Sequence, residues 1–485
     1  MKKIYLVAPH KLGTIAPEIY GHFTELIGGV FYDGLWVGRD SSIPNICGFR
    51  RELIEKLQKI RPPVLRWPGG SHAEAYNWRD GIGQDRPTRL SWWTKWDHRY
   101  ESNAVGTHEF MELCELVGAK AYFAASLAYS TPMEARYWMD YCLSPEGTTA
   151  LAKERAKNGH PQPFDIPYWG VGNENWGDGG HMRPEFYADE YRRYATLMNN
   201  AFPEANLFAC GSNYEDFNWT QKVIESLQSQ KRYTNGFAMH YYCGAAGDPV
   251  RFTEEEWDRQ LRQAKGIENA IIRNWNIICG YNAQDKIRLV VDEWGCWHPA
   301  GSGPSRGQNL FEQQSTIRDA MVAALSLNIF NNHCEKIAMT NVAQLVNNLH
   351  ALFLAGGEHC IVTPTYYVYE MFREHQGAQA IETVVTDNDD PAESLSVSAS
   401  LKDGQLLVTV GNLSCRQDAE FMLEQVGIRL AAQGTAVLLQ NDDLHAHNTF
   451  DEPDRVKTVS CSLDTAKKIS IPKGAVLALL VPAAE

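Results

Sequence analysis

No stretch of this 485-residue chain approaches the roughly 18 consecutive apolar residues that span a bilayer, so a membrane protein is not expected. Positive charge is also scarce. The chain has 45 Lys and Arg against 59 Asp and Glu, a formal net charge of -14. That balance repels phosphate backbones unless a basic stripe compensates, and none is visible, which makes nucleic acid a poor partner. The eleven cysteines include no C-x-x-C pair, and their odd number suits reduced thiols packed as small hydrophobes better than a disulfide framework. The opening MKKIYLVAPHKLG holds too short an apolar stretch for a secretion signal, so a cytoplasmic location is expected. Internal repeats, low-complexity tracts and Walker segments are missing as well.

What is present is globular. Hydrophobic residues make up 44% and charged residues 21%, and the length exceeds one ordinary core, so two domains are expected. Between residues 16 and 362, eight β-branched or aromatic runs alternate with segments of helical spacing. The runs are EIYGHFTE, VLRWPGG, AYFAAS, IPYWGVGNE, NLFACGS, GFAMHYY, IRLVVDEWG and IAMTNVAQ. Leu53, Ile54, Leu57 and Ile60 form a helical stripe, while Thr131 to Glu134 and Thr253 to Glu256 read as capping boxes. Eight such units predict a closed (β/α)8 TIM barrel, with a doubly wound open sheet as the competitor. After about Thr365 the pattern changes to SLSVSASL, QLLVTVGNL and KKISIPKGAVLALLV, which predicts an antiparallel, jelly-roll-like β-sandwich. The opening strand KKIYLVA is expected to join it, giving a second domain built from 1–15 plus 363–485.

Polar groups recur where barrel strands should end: Glu25, Arg66, Asn173 with Glu174, His240 with Tyr242, Asp292 with Glu293, and Gln344. Carboxylates on opposing strands can face each other across a barrel mouth, as glycosidic bond cleavage by an acid and a nucleophile requires. A carboxyl shielded by Trp169 or Trp176 would keep its proton, and one contacted by Tyr242 would stay ionised, so Glu174 is expected as acid/base and Glu293 as nucleophile. A lone glutamate is more often half of a structural ion pair; two at matched strand ends favour a site.

RWPGG at Arg66 to Gly70, YNWRDGIG at Tyr76 to Gly83, WGVGNENWG at Trp169 to Gly177 and VDEWG at Val291 to Gly295 resemble the intracellular α-L-arabinofuranosidases of glycoside hydrolase family fifty-one. NHCEKIAMTNVAQLVN and TPTYYVYEMF extend the resemblance. It implies a retaining double displacement with Glu174 as acid/base and Glu293 as nucleophile, and no cofactor or metal. It also implies that Asn173 contacts the sugar 2-hydroxyl, that Glu25 and Gln344 contact further furanose hydroxyls, and that His240 and Tyr242 form an H-x-Y element whose phenol orients the nucleophile. The implied substrates are arabinoxylan or arabinan oligosaccharides, and the implied assembly is a homo-oligomer, often a hexamer. One departure stands out: Ser71 occupies the place of a customary asparagine. The same carboxylates would also suit a β-D-xylosidase, an endoglucanase, a β-D-galactofuranosidase or a retired, sugar-binding barrel.

Other residues carry two readings each. Arg66 either holds Glu25 or the nucleophile, or is a structural ion pair. Trp78, Trp92, Trp93 and Trp96 could form a stacking wall for sugar faces, although large aromatics are usually buried; Trp294 and Trp297, flanking the nucleophile, are better candidates. Asp292 should point away from Glu293, because side chains alternate along a strand. Cys296-Trp297-His298 invites a metal reading but lacks the three or four ligands zinc needs.

Overall fold

Every one of the eight apolar runs becomes a parallel strand in the computed structural model, which describes residues 1–93, 100–244, 246–305, 309–387 and 394–484. After an N-terminal strand β1 (Lys2–Thr14), the barrel comprises β2 (Gly21–Phe23), β3 (Val64–Trp67), β4 (Lys120–Ala125), β5 (Tyr168–Val171), β6 (Asn206–Asn213), β7 (Gly236–Cys243), β8 (Arg288–Cys296) and β9 (Ile337–Val342). Neighbours in the chain are neighbours in the barrel, and β9 closes on β2. The first run is shorter than predicted. Pro17, which lacks an N–H, opens a 3-10 turn (Pro17–Tyr20), and only Gly21–Phe23 pairs as a strand.

Alternation along the strands builds two layers. Leu65, Trp67, Phe123, Trp169, Val171, Phe237 and Leu289 face outward into the main core shared with the helices, while Val64, Tyr122, Phe208, Ala238, Val290 and Met339 plug the lumen. The plug closes the floor of the barrel and leaves polar residues to line its mouth. The helices start where the sequence signals them: Thr131 accepts from the Glu134 N–H behind Pro132, and Thr253 with Glu256 completes a reciprocal capping box.

Strand β8 breaks the alternation. Ala238 and His240 on β7 pair with Val290 and Glu293, and Thr340 and Val342 on β9 pair with Val291 and Trp294. One extra residue of β8 is therefore accommodated between its neighbours, a bulge that rotates the strand locally.

The chain after the barrel forms β10 (Gln379–Val385), β11 (Leu395–Lys402), β12 (Gln405–Asn412), β13 (Ala419–Val426), β14 (Gln433–Leu439), β15 (Thr458–Asp464), β16 (Ile469–Ile471) and β17 (Val476–Ala484). Together with β1 they form one sheet in the order β15-β14-β17-β12-β11-β10-β1-β13-β16. The antiparallel sheet domain expected from the sequence is present, with one parallel pairing that makes it mixed: β1 runs antiparallel to β10 but parallel to β13. Its inward residues, among them Ile4, Leu6, Val408, Phe421 and Leu479, make a second core.

The other face of the sheet meets the barrel through the helix Ile317–Asn332, buried from Ile317 to Asn331 because β8 covers one side of it and the sheet the other. This seam is polar. Asn328 donates to the Ser396 carbonyl at 3.1 Å and accepts from Ser398 Oγ at 2.8 Å and Thr409 Oγ1 at 2.7 Å. Asn328→Ala would remove the acceptor that two buried hydroxyls share and the donor to the Ser396 carbonyl, at a cost of roughly 2–4 kcal/mol. We expect a melting temperature several degrees lower, measured by thermal unfolding; an unchanged melt would mean that the seam is held by other contacts.

Candidate active site

The polar residues at the strand ends converge on one cluster around Arg66, the third residue of β3, which is 1% exposed. Its guanidinium donates to Glu293 Oε1 at 2.8 Å, to Asn173 Oδ1 at 2.6 Å and to the Asp292 carbonyl at 3.1 Å, and its Nε lies 3.4 Å from Asp292 Oδ2. The Phe23 ring covers it at 4.6 Å. Of the alternatives open for Arg66, the structure selects Glu293 over Glu25 as its carboxylate.

His240, near the end of β7, is the second hub. Its Nδ1 lies 2.8 Å from Glu174 Oε1 and 3.5 Å from Glu293 Oε2, and its Nε2 lies 3.2 Å from Asp292 Oδ1. Tyr242, two residues on, donates its phenol proton to Glu293 Oε2 at 2.9 Å. One carboxylate oxygen from each of Glu174 and Glu293 and a ring nitrogen of His240 lie within 4.8 Å of one another. Glu174 follows β5 at φ +45°, a left-handed conformation uncommon outside glycine.

Glu25 and Gln344 sit together at the adjoining exits of β2 and β9. Gln344 Nε2 donates to Glu25 Oε2 at 2.7 Å and the His72 N–H donates to Glu25 Oε1 at 2.9 Å. The glycine pair in RWPGG makes this possible: a Cβ at Gly69 would stand 2.9 Å from Glu25 Cγ, and one at Gly70 3.1 Å from both carboxylate oxygens. Two buried polar atoms of the cluster, Asn173 Nδ2 and Gln344 Oε1, have no protein partner among the described residues. A donor and an acceptor left open at one mouth suit a hydroxyl-rich ligand.

The charges are unevenly shared. Burial works against ionisation of Asp292, yet Arg66 and His240 hold it below the usual carboxylate range. Burial, with Glu293 adding to it, pushes Glu25 up to about 8. Glu174 is raised as well, chiefly by burial, against the pull of the His240 imidazole. Burial likewise opposes charge on His240, but Glu293, Asp292 and Glu174 surround it and raise it to about 10.

Several expectations need correction. Asp292 does not point away: its Oδ2 accepts from Tyr122 at 2.9 Å inside the lumen, because the β8 bulge turns both members of the D-E pair inward. Trp294 is 1% exposed, donates to Thr340 Oγ1 and packs on Phe330, so it stands on the outer side of β8 and cannot line the mouth. Trp169 likewise packs outward on Phe123 and Trp138, and the tryptophan near the pair is Trp176, whose ring lies 6.3 Å from that of His240. Trp78 is buried against Tyr141. Trp96 lies outside the described residues. Trp297 remains 37% exposed, 5.1 Å from the Tyr242 ring and 4.9 Å from Phe311, a neighbour the sequence did not single out. Ser71 starts the short helix Ser71–Ala75, next to the His72 N–H that holds Glu25.

Cys296 and His298 do gain a third potential ligand, Asp319, and the three sets of donor atoms lie within 4.8 Å of one another. These atoms already bond to protein partners: His298 Nε2 lies 2.7 Å from Asp319 Oδ1, and Gln260 Nε2 lies 3.3 Å from Cys296 Sγ. Burial holds the thiol in its protonated form, whereas metal ligation needs the thiolate.

Two family descriptions match the chain, an α-L-arabinofuranosidase 1 domain over residues 56–260 and an α-L-arabinofuranosidase C-terminal domain over 292–473. An intracellular exo-α-L-arabinofuranosidase of Bacteroides ovatus is 34% identical over 476 residues, which is 95% of this chain and 90% of that protein. The chain belongs to glycoside hydrolase family 51. The family 51 arabinofuranosidase from Xanthomonas axonopodis pv. citri superposes with a TM-score of 0.92 at 33% identity, covering 99% of this chain and 100% of that one. The α-L-arabinofuranosidase of Thermotoga maritima, solved as an arabinose complex, gives 0.88 at 25% identity over 99% and 100%. The protein is therefore a glycoside hydrolase.

If Arg66 organises the site, Arg66→Met leaves two buried carboxylates without their guanidinium. We expect kcat/KM to fall by about 100-fold or more, as misplacement of reacting groups does, and stability to fall by roughly 3–5 kcal/mol. Near-normal turnover by Arg66→Met in a steady-state assay would show that this role is wrong.

Proposed function

We propose that this family 51 enzyme is an exo-acting, retaining α-L-arabinofuranosidase that removes terminal non-reducing α-L-arabinofuranosyl residues from arabinoxylan or arabinan oligosaccharides. The observation that supports the mechanism is that one carboxylate oxygen of Glu174 and one of Glu293 lie within 4.8 Å of each other. Retaining enzymes place their carboxyl groups about 5–5.5 Å apart, whereas inverting ones leave roughly 6.5–9.5 Å for a water.

The environments support different roles. Glu293 accepts from Arg66 and Tyr242, one oxygen each, which fixes a carboxylate for attack on the anomeric carbon. Glu174, whose proton affinity burial raises, is the carboxyl suited to give a proton to the leaving oxygen. In the first step the Glu293–carbon bond forms as the glycosidic bond breaks, and the Glu174 proton passes to the departing oxygen. In the second, Glu174 takes a proton from water, whose oxygen displaces Glu293 and restores both carboxyl groups. Asn173 Nδ2 supplies the open donor for the sugar 2-hydroxyl, and Glu25 with Gln344 holds further hydroxyls. Trp297 offers its exposed face to the aglycone. These steps call for no cofactor or metal.

The relative's description as intracellular and exo-acting supports a cytoplasmic enzyme working on short imported oligosaccharides. No helix among the described residues is long and apolar enough to cross a membrane. We also read the chain as a barrel domain over 16–362 and a sheet domain from 1–15 plus 363–485, assembled as a homo-oligomer, with a hexamer as the expected form.

Aryl α-L-arabinofuranoside should be turned over faster than aryl β-D-xyloside or β-D-galactofuranoside, and a mechanism-based inhibitor should label Glu293; stronger turnover of another sugar or labelling elsewhere rejects the assignment. Because the raised Glu174 keeps its proton to higher pH and loses it as pH rises, the alkaline fall of kcat/KM should reflect Glu174. In Glu174→Ala that limb should vanish, with losses of roughly 100-fold or more on oligosaccharides and little on activated aryl substrates. A pH profile with the limb intact would remove Glu174 from the role.

A further inference from the structure

Glu74 is a carboxylate that the steps above do not use. It lies in the helix Ser71–Ala75, just after the RWPGG turn, and is 1% exposed. A buried acid normally finds a cation, but Glu74 is held entirely by neutral donors. Its Oε1 accepts from the Asn173 N–H at 2.8 Å and from Asn175 Nδ2 at 2.7 Å. Its Oε2 accepts from the Leu127 N–H at 2.8 Å, the Ala128 N–H at 2.9 Å and Ser126 Oγ at 3.1 Å. Ser126 Oγ also lies 2.5 Å from the Glu74 carbonyl. One side chain thus ties three segments together: the exit of β3, the exit of β4 and the exit of β5.

The β5 exit is the segment that carries Glu174, and its backbone would not hold this shape unaided. Gly172 has φ +90° and Glu174 φ +45°, the latter costing of order 1–2 kcal/mol for a residue with a Cβ. The turn is locked from within by the Gly177 and Gly179 N–H groups on the Glu174 carbonyl, at 2.7 and 3.1 Å, and by Asn175 Nδ2 on the Gly179 carbonyl at 2.8 Å. Arg66 on Asn173 Oδ1 and the Gly172 N–H on the Ala125 carbonyl also tie this turn to the barrel, but Glu74 holds the residues on both sides of Glu174 through one carboxylate oxygen.

We propose that Glu74 is a positioning residue for the acid/base: it sets the place of the Asn173-Glu174-Asn175 turn and so the aim of the Glu174 carboxyl at the leaving oxygen. This rests on the assignment of Glu174 proposed above. Glu74 makes no hydrogen bond to the Glu174 side chain; it acts through the Asn173 N–H and the Asn175 amide on either side of it.

Glu74→Gln tests it. The amide keeps the volume, but its NH2 must face either the Leu127 and Ala128 N–H groups or the donors of Asn173 and Asn175, so one side of the clamp opens. kcat/KM is measured on aryl α-L-arabinofuranosides whose leaving phenols differ in acidity. A loss of about 10-fold or more with the least acidic phenol and under about 3-fold with 2,4-dinitrophenol is expected, since only the former depends on proton donation. An equal loss across all phenols, or none, would mean that Glu74 serves stability alone and overturns the inference. Where Glu74→Gln does not fold, Asn175→Ala removes one donor to the same oxygen and should steepen the same dependence; a flat response overturns the inference equally. The parent assignment is read separately with Glu174→Ala. If that variant shows no dependence on the leaving group, the acid/base role falls and this inference with it; if only Glu74→Gln lacks it, this inference falls alone.

Discussion

A buried guanidinium is the interaction on which the mouth of this barrel depends. Arg66 meets Glu293, Asp292 and Asn173 at once, and His240 meets Glu174, Glu293 and Asp292. Two cationic groups thus serve three acidic side chains in a space where uncompensated charge would be prohibitive. The compensation is incomplete by design of the geometry. Asp292 touches both hubs and stays ionised, whereas Glu174 touches only the imidazole and is left with a raised proton affinity. The proton affinities of Asp292 and Glu174 are therefore set apart by which hub each one reaches.

The bulge in β8 is what lets this happen. Regular alternation would turn Asp292 outward toward the helices, and Arg66 would face Glu293 alone. With one extra residue accommodated, two consecutive carboxylates enter the lumen, and Asp292 joins Glu293 in raising the second cationic hub. The local irregularity of one strand thus sets the charge balance of the whole cluster.

The barrel was legible in the sequence because its strands are fully buried apolar runs that end in polar residues, a pattern with few other physical explanations. The converging residues were legible for the same reason: Glu25, Arg66, Glu174, His240, Tyr242, Glu293 and Gln344 all stand at strand exits. What was hidden depends on register. Nothing in VDEWG announces a bulge, so Asp292 was placed on the wrong side and Trp294 was credited with a view of the pocket that Thr340 and Phe330 occupy. Asp319 was invisible beside Cys296 and His298 because it arrives from a helix 21 residues on from His298. Glu74 left one faint signal, an acid in the first turn of a helix that the structure shows to be buried, and its partners lie on two other strand exits. The mixed character of the sheet was hidden too, since alternation predicts a strand's faces and not the direction of its neighbour.

The pairing of β1 has a consequence for how the chain is made. Its partners are Gln379–Val385 on one side and Ala419–Val426 on the other. During synthesis, which runs from the N-terminus, β1 has no edge to join until Gln379–Val385 has followed it, long after Thr14. The eight barrel strands, each lying beside its successor, can assemble in the meantime. An apolar strand with both edges open is a template for other chains. The lysines and histidine of KKIYLVAPHK, set around its apolar residues, are the kind of charged edge residues that discourage such pairing before Gln379–Val385 and Ala419–Val426 are made.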